Sequence, residues 1–197
     1  MSNSIYSRRS IRKYLNTPVP KEMIEQVIDA ARMAPSAKNR QPWKYIVFGG
    51  EQKKELLTQM EIGIKREESE EAFLQNSKQG IPDAKNTLKI MKEAPVIIVV
   101  LNTNGNTPFQ ELKVEDRFTE ICDSLSIGAS IQNILLKAEE IGLGTLWIAN
   151  TCFAYKQLTE YLDTTEQLIG AVAIGYSDEK PLQRPRKQMD EIVEYRL

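Results

Sequence analysis

One stretch limits the folds open to this chain more than any other. Residues 114–140, "VEDRFTEICDSLSIGASIQNILLKAEE", read as one helix of about seven turns whose apolar positions fall on two stripes rather than one. Ile121, Leu125, Gly128, Ala129, Leu135 and Leu136 make the first stripe; Ile127, Ile131, Ile134, Ala138 and Ile141 make the second. Asp123, Ser126, Ser130, Asn133, Lys137 and Glu140 form the remaining, polar face. A helix apolar around so much of its circumference is buried on more than one side. In a chain of 197 residues, a core face plus a subunit interface accounts for that pattern. Gly128-Ala129-Ser130 lets another backbone approach closely. Gln132 stands in line with Leu125 and Leu136, and a buried amide there needs partners, as an internal tie or as a ligand contact.

The other elements follow from punctuation and period. Pro18-Val19-Pro20 ends an extended arm, and Pro20 suits the first position of an amphipathic helix over 20–33, with Glu22 in its first turn. Pro35 ends that helix, "PSAKNRQPW" reads as loop, and "KYIVFGG" reads as a strand stopped by Gly49-Gly50. From Glu51 to about Lys92 the chain is helical and strongly charged, with a break at Gly80-Ile81-Pro82. Within it, "EIGIKREESEEAFLQNSKQG" (61–80) has few apolar anchors and suits either a solvated helical excursion or a mobile lid over a site. "PVIIVVLN" has the continuous β-branched character of a strand buried on both faces. Residues 103–114 read as a loop. Beyond the long helix, Gly142 and Gly144 introduce the strand "TLWIAN", then a helix, "TCFAYKQLTEYL", and a last strand, "QLIGAVAIGY". The length suits one domain over 1–197, layered around one sheet whose strand directions the pattern leaves open.

Composition removes several kinds of chemistry. The chain has no histidine, so a Ser-His-Asp triad, a Cys-His dyad and a His-ligated metal are excluded. Cys122 and Cys152 form no CxxC and cannot alone hold a structural zinc; their apolar surroundings suggest buried free thiols. A net charge of −1 argues against nucleic acid as a partner. The opening "MSNSIYSRRS" lacks the apolar core of a signal peptide, and the longest apolar run, "APVIIVVL", is too short to span a bilayer. The expectation is a cytoplasmic protein with no membrane partner.

Against this neutral background two basic knots stand out. "RRSIRK" places Arg8, Arg9, Arg12 and Lys13 around Ser10, and "RPRK" places Arg184, Arg186 and Lys187 near the other end. Arginine forks match phosphate oxygens bidentately, and a serine hydroxyl completes an anion cradle. The plain alternative is ordinary solvated surface at both chain ends. The loop "PSAKNRQPW" gathers Ser36, Asn39, Arg40 and Gln41, which either cap locally or read the edge of a heterocycle, while Trp43 reads as core. No side chain here is an evident catalytic acid or nucleophile. Hard chemistry would therefore come from a bound cofactor.

In chain order, "RRSIRKY", "APSAKNRQPWKYIVF", "DSLSIGASIQNILLKAEEIGLGTLWI" and "IGY…RPRK" resemble the successive signatures of the nitroreductase family of FMN-dependent oxidoreductases, from about Ser4 to Tyr195. The resemblance implies an α+β fold with a central, mainly antiparallel sheet flanked by helices. It implies a homodimer with exchanged C-terminal segments completing the sheets and two FMN sites at the subunit interface. By match of motif, Arg8, Arg9, Ser10 and Arg12 would hold the FMN phosphate and nearby oxygens, closed by Arg186 with Lys187 or Arg184. Pro35, Ser36, Ala37 and Asn39 would reach the flavin from the partner subunit, and Gln132 matches the dimer core. Trp147, Ile148, Ala149 and Asn150 match the strand end beside the isoalloxazine, where a backbone N–H of Ala149 or Asn150 faces N5. Many relatives have Gly-Gly or Glu-Gly at Ala149-Asn150, which leaves that donor open. Residues 60–115 carry no signature and correspond to a variable lid or substrate-access region. The implied activity passes hydride from NAD(P)H through flavin N5, in ping-pong order, to a small electron-poor acceptor of nitroaromatic, quinone or enone type. It needs no metal and no catalytic side chain. The alternative is a flavin-binding or regulatory module with little turnover.

Overall fold

A computed structural model describes residues 4–197 of the expected 1–197 unit. After a single helical turn, α1 (Ser4–Ser7), the elements run α2 (Lys21–Arg32), β1 (Trp43–Phe48), α3 (Gly50–Glu67), α4 (Ile81–Glu93), β2 (Val96–Asn102), α5 (Val114–Glu140), β3 (Gly144–Ile148), α6 (Tyr155–Tyr161) and β4 (Gln167–Gly175). The four strands form one sheet in the order β1-β2-β4-β3, and every neighbouring pair is antiparallel. Together they make an α+β architecture.

The sheet lies between two helical layers, and the pleat of β2 shows how. Ile97, Val99 and Leu101 join a cluster with Leu56, Met60, Ile64, Leu88 and Met91 of α3 and α4. Val96, Ile98 and Val100 point the other way, into a cluster with Val27 and Ala31 of α2 and Ile127, Ile131 and Ile134 of α5. All seven residues of β2 are buried. The continuous apolar run thus reported two-sided burial and said nothing of direction, since helices cover both faces of an antiparallel sheet here.

Three expectations change. The stretch 61–80 is no solvated excursion over its first turns: α3 buries Gly63, Ile64 and Glu67 there, Ile64 within one cluster with the sheet, and ends at Glu67 rather than running to Gly80. Cys122 and Cys152 are free, as expected, but exposed rather than buried. The polar face of α5 does not meet solvent along its length. Ser130 donates to Ala31 O (3.0 Å) and Asn133 to Ala30 O (3.0 Å), so the face satisfies carbonyls at the end of α2. Asp123, Ser126 and Ser130 are buried, whereas Ile121 and Leu125 of the first apolar stripe are exposed. Tyr45 of β1 also hydrogen-bonds Ser130. Inter-element backbone groups, not water, claim these short polar side chains.

Candidate functional site

The two basic knots meet because the strands between them close the chain back on its start. Ile11 N donates to Thr145 O (2.8 Å), Leu15 N to Tyr176 O (2.9 Å) and Asp178 N to Lys13 O (3.0 Å), zipping the N-terminal arm beside β3 and the end of β4. Glu179 accepts from Arg12 N–H, which fixes the segment that follows. The chain then passes Pro181 and Leu182, and Arg184 and Arg186 arrive opposite Arg8, Arg9, Ser10 and Arg12 around one small cleft of about 70 Å³.

Five guanidinium groups therefore surround one cleft. Their hydrogen bonds go to carbonyls: Arg9 to Tyr6, Ser7 and Arg8 O (2.7, 2.9 and 2.9 Å), Arg12 to Ser10 O (3.0 Å), and Arg186 to Arg184 and Pro185 O (both 3.1 Å). Among the described residues none of the five forms a salt bridge with a carboxylate. Five cations against one nearby carboxylate, Glu179 at the Arg12 backbone, favour an anion, and guanidinium forks suit a phosphate. Lys187 is exposed and does not line the cleft, nor does Lys13.

The loop after α2 is held in an uncommon shape. Lys38, Asn39 and Gln41 all have positive φ (53°, 54° and 48°) without being glycine. Such residues persist only where their surroundings hold them, and they gather at functional sites. Ser36 Oγ accepts from Gln41 N (3.0 Å), Ser126 Oγ from Ala37 N (3.2 Å), and Arg40 grips Asp123 through Nε (2.8 Å) and a terminal nitrogen (2.7 Å). Asn104 adds a bond to the other oxygen of Asp123 (3.3 Å). Pro35 and Asn39 remain exposed, and Ser36 and Ala37 half-buried. Arg40 and Asp123 were not expected to carry this anchoring; a cation in the loop and an acid among the short polar residues of a two-sided helix were the available signal.

The third group lies at the end of β3. Trp147 is 43% exposed while Ile148 is buried, so the strand end presents one large apolar ring outward. Ala149 precedes a 3₁₀ turn over Asn150–Ala154, and its N–H has no acceptor among the described residues. Asn150 is tied by its Nδ2 to Thr87 Oγ1 (2.9 Å) and Asp83 Oδ2 (3.1 Å) of α4. Across the sheet, a side chain at Gly170 would strike Ile148 O, and β4 carries a register irregularity there, opposite Val100/Leu101. Gln132 is half-buried, with no side-chain hydrogen bond among the described residues. The internal tie considered for it is absent.

These groups are not all together in one chain. The loop is fastened to α5 at Asp123 and Ser126, whereas Arg9 lies in a surface hollow with Glu139 at the other end of α5. Thirteen residues of helix separate Ser126 from Glu139, roughly 20 Å at 1.5 Å per residue. Among the described residues no helix is long and apolar enough to cross a membrane, and no cluster of His, Cys, Asp and Glu suits a metal.

Comparison with known proteins gives these features a context. The model of the nitroreductase family matches residues 5–176. Two archaeal relatives carry the name "Putative NADH dehydrogenase/NAD(P)H nitroreductase". That of Archaeoglobus fulgidus is 31% identical over 185 residues, covering 89% of this chain and 85% of its own. That of Methanothermobacter thermautotrophicus is 32% identical over 144 residues, 73% of this chain, which spans only 58% of that protein. Among solved structures, the FMN-dependent nitroreductase NfnB from Mycobacterium smegmatis, in complex with NADPH, superposes with a TM-score of 0.76 at 18% identity, covering 98% of this chain and 96% of that one. At that identity the likeness is one of fold.

Proposed function

Since this chain belongs to the nitroreductase family, we propose that it is an FMN-dependent oxidoreductase carrying reducing equivalents from NAD(P)H to a small electron-poor acceptor of nitroaromatic, quinone or enone type. The observation that carries this reading is the cleft of five arginines, none salt-bridged to a carboxylate among the described residues, whose donor set fits the FMN phosphate. Arg8, Arg9, Ser10, Arg12, Arg184 and Arg186 would hold that phosphate, with Lys187 adding charge from outside. When bound, FMN supplies a two-electron centre that takes hydride from the nicotinamide at N5 and yields it to the acceptor. The chain's part is to bind, orient and keep water out. Trp147 and Ile148 would give one edge of the isoalloxazine an apolar wall. The free N–H of Ala149, or that of Asn150, would face N5. A ping-pong order follows from one pocket serving donor and acceptor in turn.

The separation along α5 supports completion of each site by a second copy. Pro35, Ser36, Ala37 and Asn39 of the partner would reach the flavin that Arg8 and Arg186 hold. The exposed Ile121 and Leu125 of α5, with half-buried Gln132, would then lie in the interface. The outer edge of β1 pairs with no strand among the described residues, and the C-terminal segment leaves Leu182, Ile192 and Tyr195 exposed. An open edge and an apolar tail are matching needs. Residues 60–115 would shape access for the acceptor, and a cytoplasmic setting belongs to the same reading.

The deciding experiment is a visible spectrum of the purified dimer before and after anaerobic NADH or NADPH. A yellow protein bleached by either donor is expected. Protein that stays colourless after FMN is added ends the proposal, and yellow protein that neither donor bleaches points to a flavin-binding module instead. Arg8→Ala should weaken FMN binding about tenfold, the lower end for a charged hydrogen bond. Unchanged affinity would remove Arg8 from the phosphate site.

A further inference from the structure

A second cavity, of about 600 Å³, lies apart from the arginine cleft and is lined by Phe73, Thr107, Phe109, Tyr155, Lys156 and Thr164, among others. Its size falls within the usual range for small-molecule sites. Three separate segments build it: the turn after α3, the loop before α5, and the start of α6 with the entry to β4. Phe73 and Phe109 are 49% and 54% exposed, an unusual state for two rings facing one hollow.

The rings meet tilted or edge-on, and none stacks face to face on another. Phe109 stands edge-on to Tyr155 at 87°, centroids 5.7 Å apart, and Phe73 is tilted 55° to Phe109 at 6.0 Å. Tyr155 is fixed, being buried and accepting Leu168 N at its hydroxyl (3.3 Å). Arg66 covers Phe73 at 4.1 Å, but its charge is spent on Glu67 and its other donors on Gln157 (2.6 Å). An added aromatic ring can therefore join in offset or edge contact.

The cavity lining carries one acid and one cation, and the acid is the more firmly paired. Its one acid, Glu166, is engaged by Lys44 at 2.9 Å. Its one cation, Lys156, lies 5.7 Å from the centre of Phe73. Among the described residues the carboxylate paired with Lys156 is Glu160, at 3.8 Å, with both side chains more than half exposed. Such a pair is weak. The threonine hydroxyls add neutral donors and acceptors.

We propose that this cavity binds a planar aromatic ring bearing a carboxylate, with the ring against Phe73 and Phe109 and the carboxylate at Lys156. The proposal rests on the oxidoreductase reading only in identifying that ligand as the acceptor. Selectivity for the anion comes from Lys156; affinity for the ring comes from the phenylalanines.

The test uses a ligand that cannot be reduced, so that binding is read apart from turnover. Flavin-loaded protein is titrated with 4-fluorobenzoate, and separately with 4-fluorobenzamide, by fluorine NMR. The benzoate should bind about fivefold more tightly than the amide, the scale of an exposed ion pair. Lys156→Gln should erase that preference and leave the amide unaffected. Phe109→Leu should weaken both about fivefold or more, with circular dichroism unchanged. Added salt should shrink the preference. No benzoate binding at millimolar concentration, no preference in the native protein, or full binding by Phe109→Leu would overturn the proposal. Bleaching by NAD(P)H is decided independently: protein that bleaches but ignores benzoate loses this cavity alone. Protein that binds benzoate yet never bleaches keeps the cavity and loses the acceptor role.

Discussion

Replacing Asp123 by Asn tests whether one buried carboxylate holds the loop that this reading places on the flavin. The Asp123 side chain is 1% exposed, accepts a hydrogen bond from Arg40 Nε at 2.8 Å and lies 2.7 Å from a terminal nitrogen of the same guanidinium. The loop it holds has three non-glycine residues with left-handed backbone, at roughly 1 kcal/mol each, about 3 kcal/mol together. The bonds of Ser36 and Ser126 to loop amides return about 1 kcal/mol apiece. The ion pair must supply the remainder. Breaking a buried pair costs about 3–5 kcal/mol. Here Arg40 is 26% exposed and the amide of Asn still accepts, so about 2–3 kcal/mol is expected. Urea unfolding should show that loss in the midpoint with an unchanged slope. FMN affinity should fall about tenfold, because Ser36 and Asn39 are no longer presented in one shape. Adding Arg40→Ala to Asp123→Asn should cost little more, since the two act as one unit. A stability loss below about 0.5 kcal/mol would refute the anchor. A full stability loss with FMN affinity intact would refute the placement of Ser36 and Asn39 at the flavin.

Two further outcomes follow from burial. Burial pushes the Tyr45 hydroxyl up to about 12, with the Ser130 hydrogen bond pulling it down, and burial raises Tyr14 further still. The unfolded tyrosines lose their protons near pH 10 while the native ones keep theirs. Stability is therefore intact below pH 10 and falls as pH rises toward 12, by up to about 3 kcal/mol for Tyr45 alone; Tyr45→Phe should flatten part of that fall in urea midpoints measured from pH 8 to 11. Gly63→Ala should cost about 3 kcal/mol or more in thermal melts, because its new methyl would overlap Ala154 Cα and Cβ where α3 meets the Asn150–Ala154 turn. Gly128→Ala, whose nearest neighbour would be the Trp147 ring at 3.8 Å, is the tolerated comparison within one chain.

How much of this was legible in the sequence depended on whether a residue's partner was local. The boundaries of α2, β1 and α5 fall close to their predicted ends because proline, glycine and apolar period act within a few residues. Pro20 caps α2 rather than entering it, a shift of one position. The burial within 61–80 was hidden because charged residues outnumber apolar ones there, and only the packed layers show that Gly63, Ile64 and Glu67 turn inward. The cysteines were misread for the converse reason: apolar neighbours in sequence are not neighbours in space. Nor does a sequence reveal that Glu67 turns inward, 1% exposed, to accept Phe73 N (3.2 Å) and Leu74 N (2.8 Å). That carboxylate ends α3 and sets the turn carrying Phe73.

The long helix shows how the same letters support two assignments. Leu135 of the first stripe packs in the core with Ile131 and Ile134 of the second, and polarity did not decide which stripe met water. Ser126, Ser130 and Asn133 are short enough to sit between packed helices and offer hydrogen bonds that α2 and its following loop need. The stripe left outside contains Ile121 and Leu125, at 46% and 71% exposed. An exposed apolar stripe on a helix already buried along its opposite side is costly unless something covers it. On the proposed reading a second copy would do so, since the operation that covers the stripe would also bring the partner's Ser36–Asn39 loop across the roughly 20 Å separating it from the arginine cleft. Substituting Leu125 by Asp would separate these effects from folding. The monomer should keep its α2–α5 hydrogen bonds and its circular dichroism, yet lose both association and FMN. A variant that stays dimeric, or a monomer that binds FMN as tightly as the native protein, would show that each chain completes its own site.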